Sequence, residues 1–175
     1  MKKILLTIVC FSLFILALNA QDKETEKGWD VSAGPMVGVP IRYLHLFHSF
    51  GVGADVALLK YLNEKWGAGA RVNYLHFFGK STDQSFGNTG SHYDAANMFN
   101  LLTEVNYLLT YNLMIAVNLG LGVNSISGNT DVTLARMASL SYKLRMARMI
   151  TLALIFNQTN YQKFFGLRAN ISLGE

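Results

Sequence analysis

The sequence predicts an all-β fold: an eight-stranded antiparallel up-and-down transmembrane β-barrel. Three observations support this fold class. Apolar side chains alternate with small or polar ones in eight separate segments, and a period of two is that of a β-strand. Each segment has about ten residues, the length that a tilted strand needs to cross a bilayer. After residue 20, no apolar run approaches the roughly twenty residues of a membrane-spanning helix.

The N-terminal residues form a separate unit. Two lysines precede a short apolar run from Ile4 to Leu18, and a small residue, Ala20, follows, an order that predicts a secretory signal peptide. An uncleaved N-terminal anchor is the alternative. Cys10 lies inside the run rather than at its end, so lipoprotein processing is not expected. We therefore expect a signal peptide at 1–20, a periplasmic tail at 21–28 and a barrel at 29–175.

The alternation is clearest in segment 113–124. Its odd positions, from Leu113 to Val123, are all apolar, and its even positions carry Met, Ala, Asn and Gly. Pro35 and Pro40 each remove a backbone donor from the first segment, where we expect local irregularity. The eight predicted strands are 29–41, 48–58, 66–78, 98–109, 113–124, 132–144, 149–157 and 163–174.

The connections between these segments differ at the two ends of the predicted barrel. One end carries 42–47, 79–97, 125–131 and 158–162, and the other carries 59–65, 110–112 and 145–148. Transmembrane barrels place long loops outside the cell and short turns in the periplasm. We therefore expect 79–97, the longest connection, to be external, and the barrel to begin and end on the periplasmic side.

The composition of the two faces predicts which one meets lipid. The small-residue face holds ten of the 15 glycines with Ser, Asn and Thr, which suits a crowded interior. The other face is aliphatic and aromatic, with charges only at Arg136 and Lys163 near the predicted external rim. A mid-membrane charge facing lipid costs roughly 2–4 kcal/mol, whereas a soluble barrel carries charges on its outer face. We therefore expect the apolar face to contact lipid.

Aromatic side chains on the apolar face lie mostly near segment ends. Membrane proteins concentrate Trp and Tyr at the two lipid–water interfaces. The aromatic core of a soluble sandwich is the alternative explanation. The predicted interface aromatics are Trp29, Trp66, Tyr74, Tyr107 and Tyr142.

Four ionisable residues lie on the small-residue face at similar depth: Asp55, Arg71, Glu104 and Arg168. Two acids and two arginines carry no net charge, and buried charges must be paired. An eight-stranded barrel is only wide enough to be filled by its own side chains. We therefore expect an ion-pair cluster that plugs the lumen; a narrow ion path or gate is the alternative.

Composition argues against several function classes. Without residues 1–20, 13 Lys and Arg face 11 Asp and Glu, which is too little net charge to indicate nucleic acid binding. The same part of the chain has no cysteine, so disulfide or thiol chemistry is not expected. No metal site is expected because His45 and His48 have no third ligand nearby. No cofactor is expected because Gly51 and Gly53 do not open a helix.

Residue types suited to acyl transfer, Ser, His and Asp, occur in or beside two predicted external connections. His48 and Ser49 follow the first connection, and Ser91, His92 and Asp94 lie within 79–97. Small barrels that modify lipid A place such groups near the outer membrane boundary. Loops rich in Ser, Asp, Asn and Gly are also ordinary solvated turns, and both interpretations stay open at this point.

The last predicted strand, from Phe164 to Ile171, combines a glycine with alternating apolar positions. Together with the other segments it resembles the small outer-membrane β-barrel family, the eight-stranded group that includes the OmpA membrane domain and OmpX. The resemblance covers 29–175 and rests on pattern. It implies insertion by the barrel-assembly machinery and roles in envelope integrity, adhesion or host interaction. We also expect contact with outer-membrane lipids and lipopolysaccharide, and a monomeric state.

The resulting functional prediction is an integral outer-membrane protein with a plugged lumen and a structural or adhesive role, with adhesion acting through 79–97. Two alternatives keep the same fold. One is a lipid-modifying enzyme that transfers or removes an acyl chain, and the other is a minor channel for small solutes. Fold alone does not choose among these functions.

Overall fold

A computed structural model describes residues 29–81, 93–145, 149–159 and 162–173. All eight predicted segments are strands, and several extend beyond their predicted ends by up to three residues. The predicted signal peptide at 1–20 and the tail at 21–28 lie outside the described residues. The elements are β1 (Trp29–Ile41), α1 (Tyr43–Phe47), β2 (His48–Tyr61), β3 (Trp66–Gly79), β4 (Ala96–Leu108), β5 (Leu113–Ile126), β6 (Asn129–Arg145), β7 (Met149–Gln158) and β8 (Lys163–Ser172).

The strands close into one antiparallel barrel. Each strand pairs with the next along the chain, and β1 pairs with β8. In lipid every backbone N–H and C=O must find a partner inside the protein, and a closed sheet leaves no edge unpaired. The predicted fold class is therefore confirmed. Over the described ranges, none of the helical structure is long and apolar enough to cross a membrane.

One end of the barrel, which we call the turn end, carries short connections. Because β2 continues to Tyr61, the connection to β3 is only 62–65, and the longer predicted connection at 59–65 is wrong. The Asn63 side chain closes this turn by accepting a hydrogen bond from the backbone N–H of Trp66 at 2.8 Å.

The opposite end, which we call the loop end, differs from the prediction in two connections. Residues 42–47, predicted as a loop, contain α1, which follows Arg42 at a φ of 55°. Residues 125–131 are mostly strand, because Ser127 and Gly128 alone join β5 to β6. Ser127 and Gly128 have positive φ angles of 51° and 78°, as in a type I′ turn, whose twist matches that of the flanking strands. Because polar side chains occur on both faces of this hairpin tip, its sequence does not show the alternation that predicts a strand.

The seam between β1 and β8 is interrupted at a proline. Pairings hold as far as Ala33 and resume at Met36, whereas Gly34 and Pro35 form none in this ladder. The register is the same on both sides, so the irregularity is limited to two missing pairings. A Cβ on Gly34 would lie 1.8 Å from the carbonyl oxygen of Ala169, so the two backbones are too close for any larger residue.

The outer surface of the barrel is a belt of exposed apolar side chains. On β4, from Phe99 to Tyr107, the belt spans roughly 21 Å at about 3.4 Å per residue and a tilt of about 40°, near the ~25 Å apolar band of membrane barrels. Arg136 and Lys163, on the outward face, both pair with Gln158, the last residue of β7, at the loop end. The expectation that they are the only outward charges is wrong, because the extended β2 adds Lys60 at the turn end, with its Nζ 5.8 Å from the centroid of the Trp29 ring. On β5 the belt consists of Ile115, Val117, Leu119 and Leu121.

Candidate functional site

A cluster of ion pairs crosses the lumen. Arg71 on β3 donates from Nη1 to Oδ2 of Asp55 on β2 and from Nε to Oε2 of Glu104 on β4. Arg168 on β8 approaches the same aspartate, with its Nη1 3.4 Å from Oδ1. Asn170 donates its Nδ2 to Oδ2 of Asp55 at 2.7 Å. The structure thus brings together the four ionisable residues that the sequence places on the lumen face.

The strand register explains why these groups meet. Arg71 pairs with Ala57 on β2 and with Leu102 on β4, and each of these lies two residues from an acid on the same face. All four charged residues are at most 3% exposed. Their two positive and two negative charges balance, as burial requires. Removing one member would leave an uncompensated charge away from water.

Amide and hydroxyl side chains line the rest of the polar lumen. Asn100 donates its Nδ2 to Oδ1 of Asn73 at 2.7 Å. Other buried side chains have polar atoms without a protein partner in the described parts of the chain. They include Asn106, Asn118, Ser139, Ser141 and Asn157. Because such atoms hydrogen-bond to water where there is room, this part of the lumen suits water better than apolar solutes.

On the loop-end side of the ion pairs, part of the lumen is apolar, which the sequence analysis missed. Phe77 on β3 and Phe164 on β8 meet edge to face, with ring centroids 5.5 Å apart, although β1 and β2 separate their strands. Each lies nearer the loop end than the arginine of its own strand. We call this group the apolar layer, and its larger members are Met36, Leu75, Phe77, Met98, Leu102, Met137, Ile155 and Phe164.

The apolar layer is tightly packed against glycines of β1 and β2. A Cβ on Gly38 would lie 3.0 Å from side-chain carbons of both Leu75 and Phe164, and one on Gly51 would lie 2.7 Å from the ring of Phe77. These positions share the phase of the other lumen glycines. Following the alternation out to the strand ends would have placed Leu75 and Phe77 inside the barrel.

His48 is buried beside α1 at the loop end. Its Nδ1 lies 3.4 Å from the carbonyl oxygen of Leu44, and its Nε2 lies 3.1 Å from that of Asp94. Ser49 donates its hydroxyl to the carbonyl oxygen of Phe78 at 3.2 Å. The described hydrogen bonds of the predicted candidates His48, Ser49 and Asp94 therefore all involve backbone carbonyl oxygens. They hold α1 and the segment before β4 against the barrel.

A catalytic relay for acyl transfer requires an imidazole that contacts both a nucleophile and a carboxylate. His48, Ser49 and Asp94 lie near one another, but the described contacts of the imidazole include neither the serine hydroxyl nor the aspartate carboxylate. His92, the remaining candidate, lies outside the described residues. In the described part of the chain, no group of three metal-ligating side chains occurs.

A cavity of about 320 Å³ lies at the loop end, bounded by α1, the tip of the β5–β6 hairpin and the connection before β8. Its lining mixes aromatic, apolar and polar side chains, and the sequence analysis did not anticipate it. Its lining includes Tyr43, Leu44, Phe47, Asn124, Ile126, Asp131 and Gln162.

The predicted interface aromatics are divided unequally between the two ends. Trp29 and Trp66 begin their strands, Tyr107 is the second-last residue of β4, and Tyr142 pairs with the first residue of β5, so these four mark the turn end. The rings of Trp66 and Tyr107 pack with centroids 4.7 Å apart. Tyr74 lies farther toward the loop end.

Comparison with solved structures identifies the kind of barrel. The attachment invasion locus protein Ail of Yersinia pestis matches with a TM-score of 0.56 over 85% of this chain and 98% of Ail, at 12% sequence identity. Neisserial surface protein A matches with a TM-score of 0.56 over 85% of this chain and 98% of that protein, at 14% identity. This chain has the fold of the small outer-membrane β-barrels. The resemblance inferred from the strand pattern is thus confirmed at the level of fold.

A de novo designed transmembrane β-barrel shares this outer-membrane barrel fold. The match has a TM-score of 0.52 over 86% of this chain and 100% of the design, at 12% identity. No protein-family model and no curated protein matches the sequence. Identities this low establish a common fold and not a common activity.

Proposed function

We propose that this protein is an integral outer-membrane barrel with a closed lumen that serves as a structural and adhesive component of the cell envelope. The observation that carries the proposal is an apolar outer belt around a lumen filled by its own side chains. A continuous apolar surface of this extent is unfavourable in water and favourable in hydrocarbon. The belt therefore supports a membrane location.

Two successive barriers support a closed lumen. An ion entering from the loop end would have to pass the apolar layer, where Phe77 and Phe164 touch across the barrel. The two rings have no polar group to replace the hydration of the ion. Beyond that layer, Arg71 and its two carboxylates occupy the centre of the lumen. Each barrier adds to the free energy that an ion needs in order to pass, so weakening either one should raise the conductance.

The proposal also includes an orientation and partners. The turn end faces the periplasm and the loop end faces outward, as short turns and longer connections do in such barrels. Arg136 and Lys163 then lie near the external rim, where long cationic side chains can reach the phosphates of lipopolysaccharide. Insertion would depend on the barrel-assembly machinery.

Planar-bilayer recording of the purified protein tests the closed lumen. We expect no stable conductance from the wild type and measurable conductance from the double variant Phe77→Ala/Phe164→Ala, which removes the contact across the lumen. Phe165→Ala is the matched control, because Phe165 is the neighbouring, lipid-facing phenylalanine and is 57% exposed. Large, stable channels from the wild type would overturn the proposal.

Adhesion is supported by the loop end and by one of the compared structures. Tyr43 and Leu46 on α1 are 65% and 61% exposed, which places apolar side chains on the proposed outer surface. Ail is named as an attachment and invasion protein, and a second structure contains Ail in complex with the heparin analogue sucrose octasulfate. These words describe Ail, and for this chain they support adhesion as a proposal.

Adherence of expressing cells to host-cell monolayers tests this part. We expect lower adherence after Tyr43→Ser/Leu46→Ser and after replacement of 82–92 by a Gly-Ser linker of equal length. A Gly-Ser replacement of 146–148, at the turn end, is the control and should have no effect at equal surface expression. Unchanged adherence in both loop-end variants would remove the adhesive role and leave the structural one.

A further inference from the structure

The cavity at the loop end has features that neither a closed lumen nor adhesion requires. Its volume of about 320 Å³ is at the lower limit of small-molecule sites. Its walls come from three separate parts of the chain: α1, the β5–β6 hairpin and the connection before β8. None of these features of the cavity depends on the adhesive role.

Two buried amide oxygens at this cavity have no partner among the described residues. Asn124 is 7% exposed and Gln162 is 4% exposed, yet Oδ1 of Asn124 and Oε1 of Gln162 accept no hydrogen bond from any residue that the structure describes. The amide nitrogen of Asn124 is already used, since it donates to Oγ1 of Thr133 at 3.1 Å. A buried carbonyl oxygen without a donor is costly. A ligand in the cavity that both residues line could supply donors if the two amide groups turned toward it.

A carboxylate lies beside these oxygens. Asp131 pairs directly with Asn124 across the β5–β6 hairpin, so both side chains are on the same face of the sheet. Gln162 approaches from the other direction in a connection closed by the hydrogen bond from the Thr159 N–H to the Gln162 carbonyl oxygen, at 2.9 Å. A Cβ on Gly122 would lie 3.3 Å from Cγ2 of Thr159, which shows that this connection packs onto β5 two residues from Asn124.

The other wall of the cavity is aromatic and apolar. The rings of Tyr43 and Phe47 meet edge to face with centroids 5.0 Å apart, and Leu44 of the same helix completes this wall. The described lining contains no lysine or arginine, and its one histidine, His48, has its ring nitrogens beside the backbone carbonyl oxygens of Leu44 and Asp94. The cavity therefore offers hydrogen-bond acceptors and one negative charge on one side and aromatic rings on the other.

We propose that this cavity binds a small organic ammonium ion. Its charged group would donate to Asn124, Gln162 and Asp131, because a primary ammonium has three donors and no acceptor. Its apolar part would pack against Tyr43 and Phe47, whose ring faces also attract cations. A carboxylate ligand of the same shape would be repelled by Asp131, and an alcohol would satisfy only one of the three acceptors.

Titration of the full barrel with 2-phenylethylammonium tests this proposal. The protein is held in a maltoside detergent, so that no ammonium head group competes, and binding is followed by NMR of the side-chain amides and by calorimetry. The neutral analogue 2-phenylethanol and the anion 3-phenylpropionate are the matched ligands. We expect saturable binding of the ammonium, about tenfold tighter than the alcohol because its hydrogen bonds are charge-assisted, and none of the anion.

Variants distinguish binding in the cavity from a general attraction between the ammonium ion and the negative charges of the protein. Asp131→Asn should weaken ammonium binding by about tenfold and leave phenylethanol unchanged, and Gln162→Leu should weaken the ammonium as well. Asp94→Asn is the matched control, because it removes the same charge from an exposed loop-end residue outside the lining. Heat-modifiable migration on gels verifies that each variant is folded. Absent ammonium binding, equal affinity for all three ligands, or equal effects of Asp94→Asn and Asp131→Asn would overturn the proposal.

Discussion

Asn170 on β8 donates its Nδ2 to Oδ2 of Asp55 on β2 at 2.7 Å, although the two residues are 115 positions apart and the whole of β1 separates their strands. The same carboxylate accepts hydrogen bonds from Arg71 and Arg168. One buried aspartate therefore joins β2, β3 and β8 across the lumen. Among the four charged members of the cluster, Asp55 is the one that both arginines contact.

Loss of this carboxylate should be strongly destabilising. Asp55→Ala leaves Arg168 without a described carboxylate partner and Arg71 with Glu104 alone, and breaking a buried pair costs about 3–5 kcal/mol. Urea unfolding in lipid vesicles, followed by tryptophan fluorescence, measures the effect. Asp131→Ala, at an exposed carboxylate, should change stability by no more than about 0.5 kcal/mol. The double variant Asp55→Leu/Arg168→Leu should recover part of the loss, and no recovery would contradict a direct coupling.

A double-mutant cycle should detect the aromatic pair at the turn end. The rings of Trp66 and Tyr107 have centroids 4.7 Å apart, and such pairs contribute about 0.5–1.5 kcal/mol beyond the area they bury. Single and double alanine variants in vesicles give the coupling energy. The same cycle on Trp66 and Tyr142, which occupy separate strands at the same rim, should give a value near zero. Equal coupling in both cycles would mean that the ring contact itself contributes nothing.

A charge placed on the outer belt should reveal whether the belt faces hydrocarbon. Val117 is 65% exposed in the middle part of β5, so Val117→Arg should cost about 2–4 kcal/mol in a bilayer. Leu173→Arg, directly after β8 at the turn end, should cost less than about 1 kcal/mol because the rim is close to water. Folding free energies in vesicles give both values. An equal and small cost at the two sites would argue against a lipid-facing belt.

Glycine should be favoured over arginine at the residue before α1. Arg42 has a φ of 55° and a ψ of −130°, a conformation that favours glycine at the first central position of a type II′ turn. Strain of about 1–3 kcal/mol is partly offset by the greater unfolded-state entropy of glycine, so Arg42→Gly should stabilise the barrel by about 1 kcal/mol. Arg42→Ala keeps the strain and is the control. If alanine stabilised as much as glycine, the effect would come from the side chain and not from the backbone.

Alternation was sufficient to locate all eight strands but not all of their ends. It works in segments such as 113–124 because lipid and lumen impose opposite requirements on successive side chains. At the β5–β6 tip both faces leave the membrane, both carry polar residues, and the pattern disappears although pairing continues to Ser127 and Gly128. The short helix α1 is a single turn that forms where Arg42 redirects the chain. It is too short for its side chains to show a helical period.

The candidate site was only partly predictable. Asp55, Arg71, Glu104 and Arg168 were found because a charge on an inward face needs partners, and this requirement can be read from the sequence. The contact between Phe77 and Phe164 was not predicted, because alternation places each ring on the inward face and does not show which rings meet across the lumen. The cavity was not predicted because the sequence does not show that Asn124 and Gln162 are buried. Nor does it show that their side-chain oxygens lack a hydrogen-bond donor among the described residues.

The order of residues is enough to establish strands, the lipid-facing side and the identity of the charges inside, because each follows from neighbours along the chain and the solvent on each face. Closure of the sheet establishes the rest. It brings β8 beside β1 and within reach of β2 and β3, so that Arg168 meets Asp55, Phe164 meets Phe77, and the connection before β8 meets the β5–β6 hairpin at the cavity. These contacts depend on strand register and tilt around the whole barrel, which no single segment encodes.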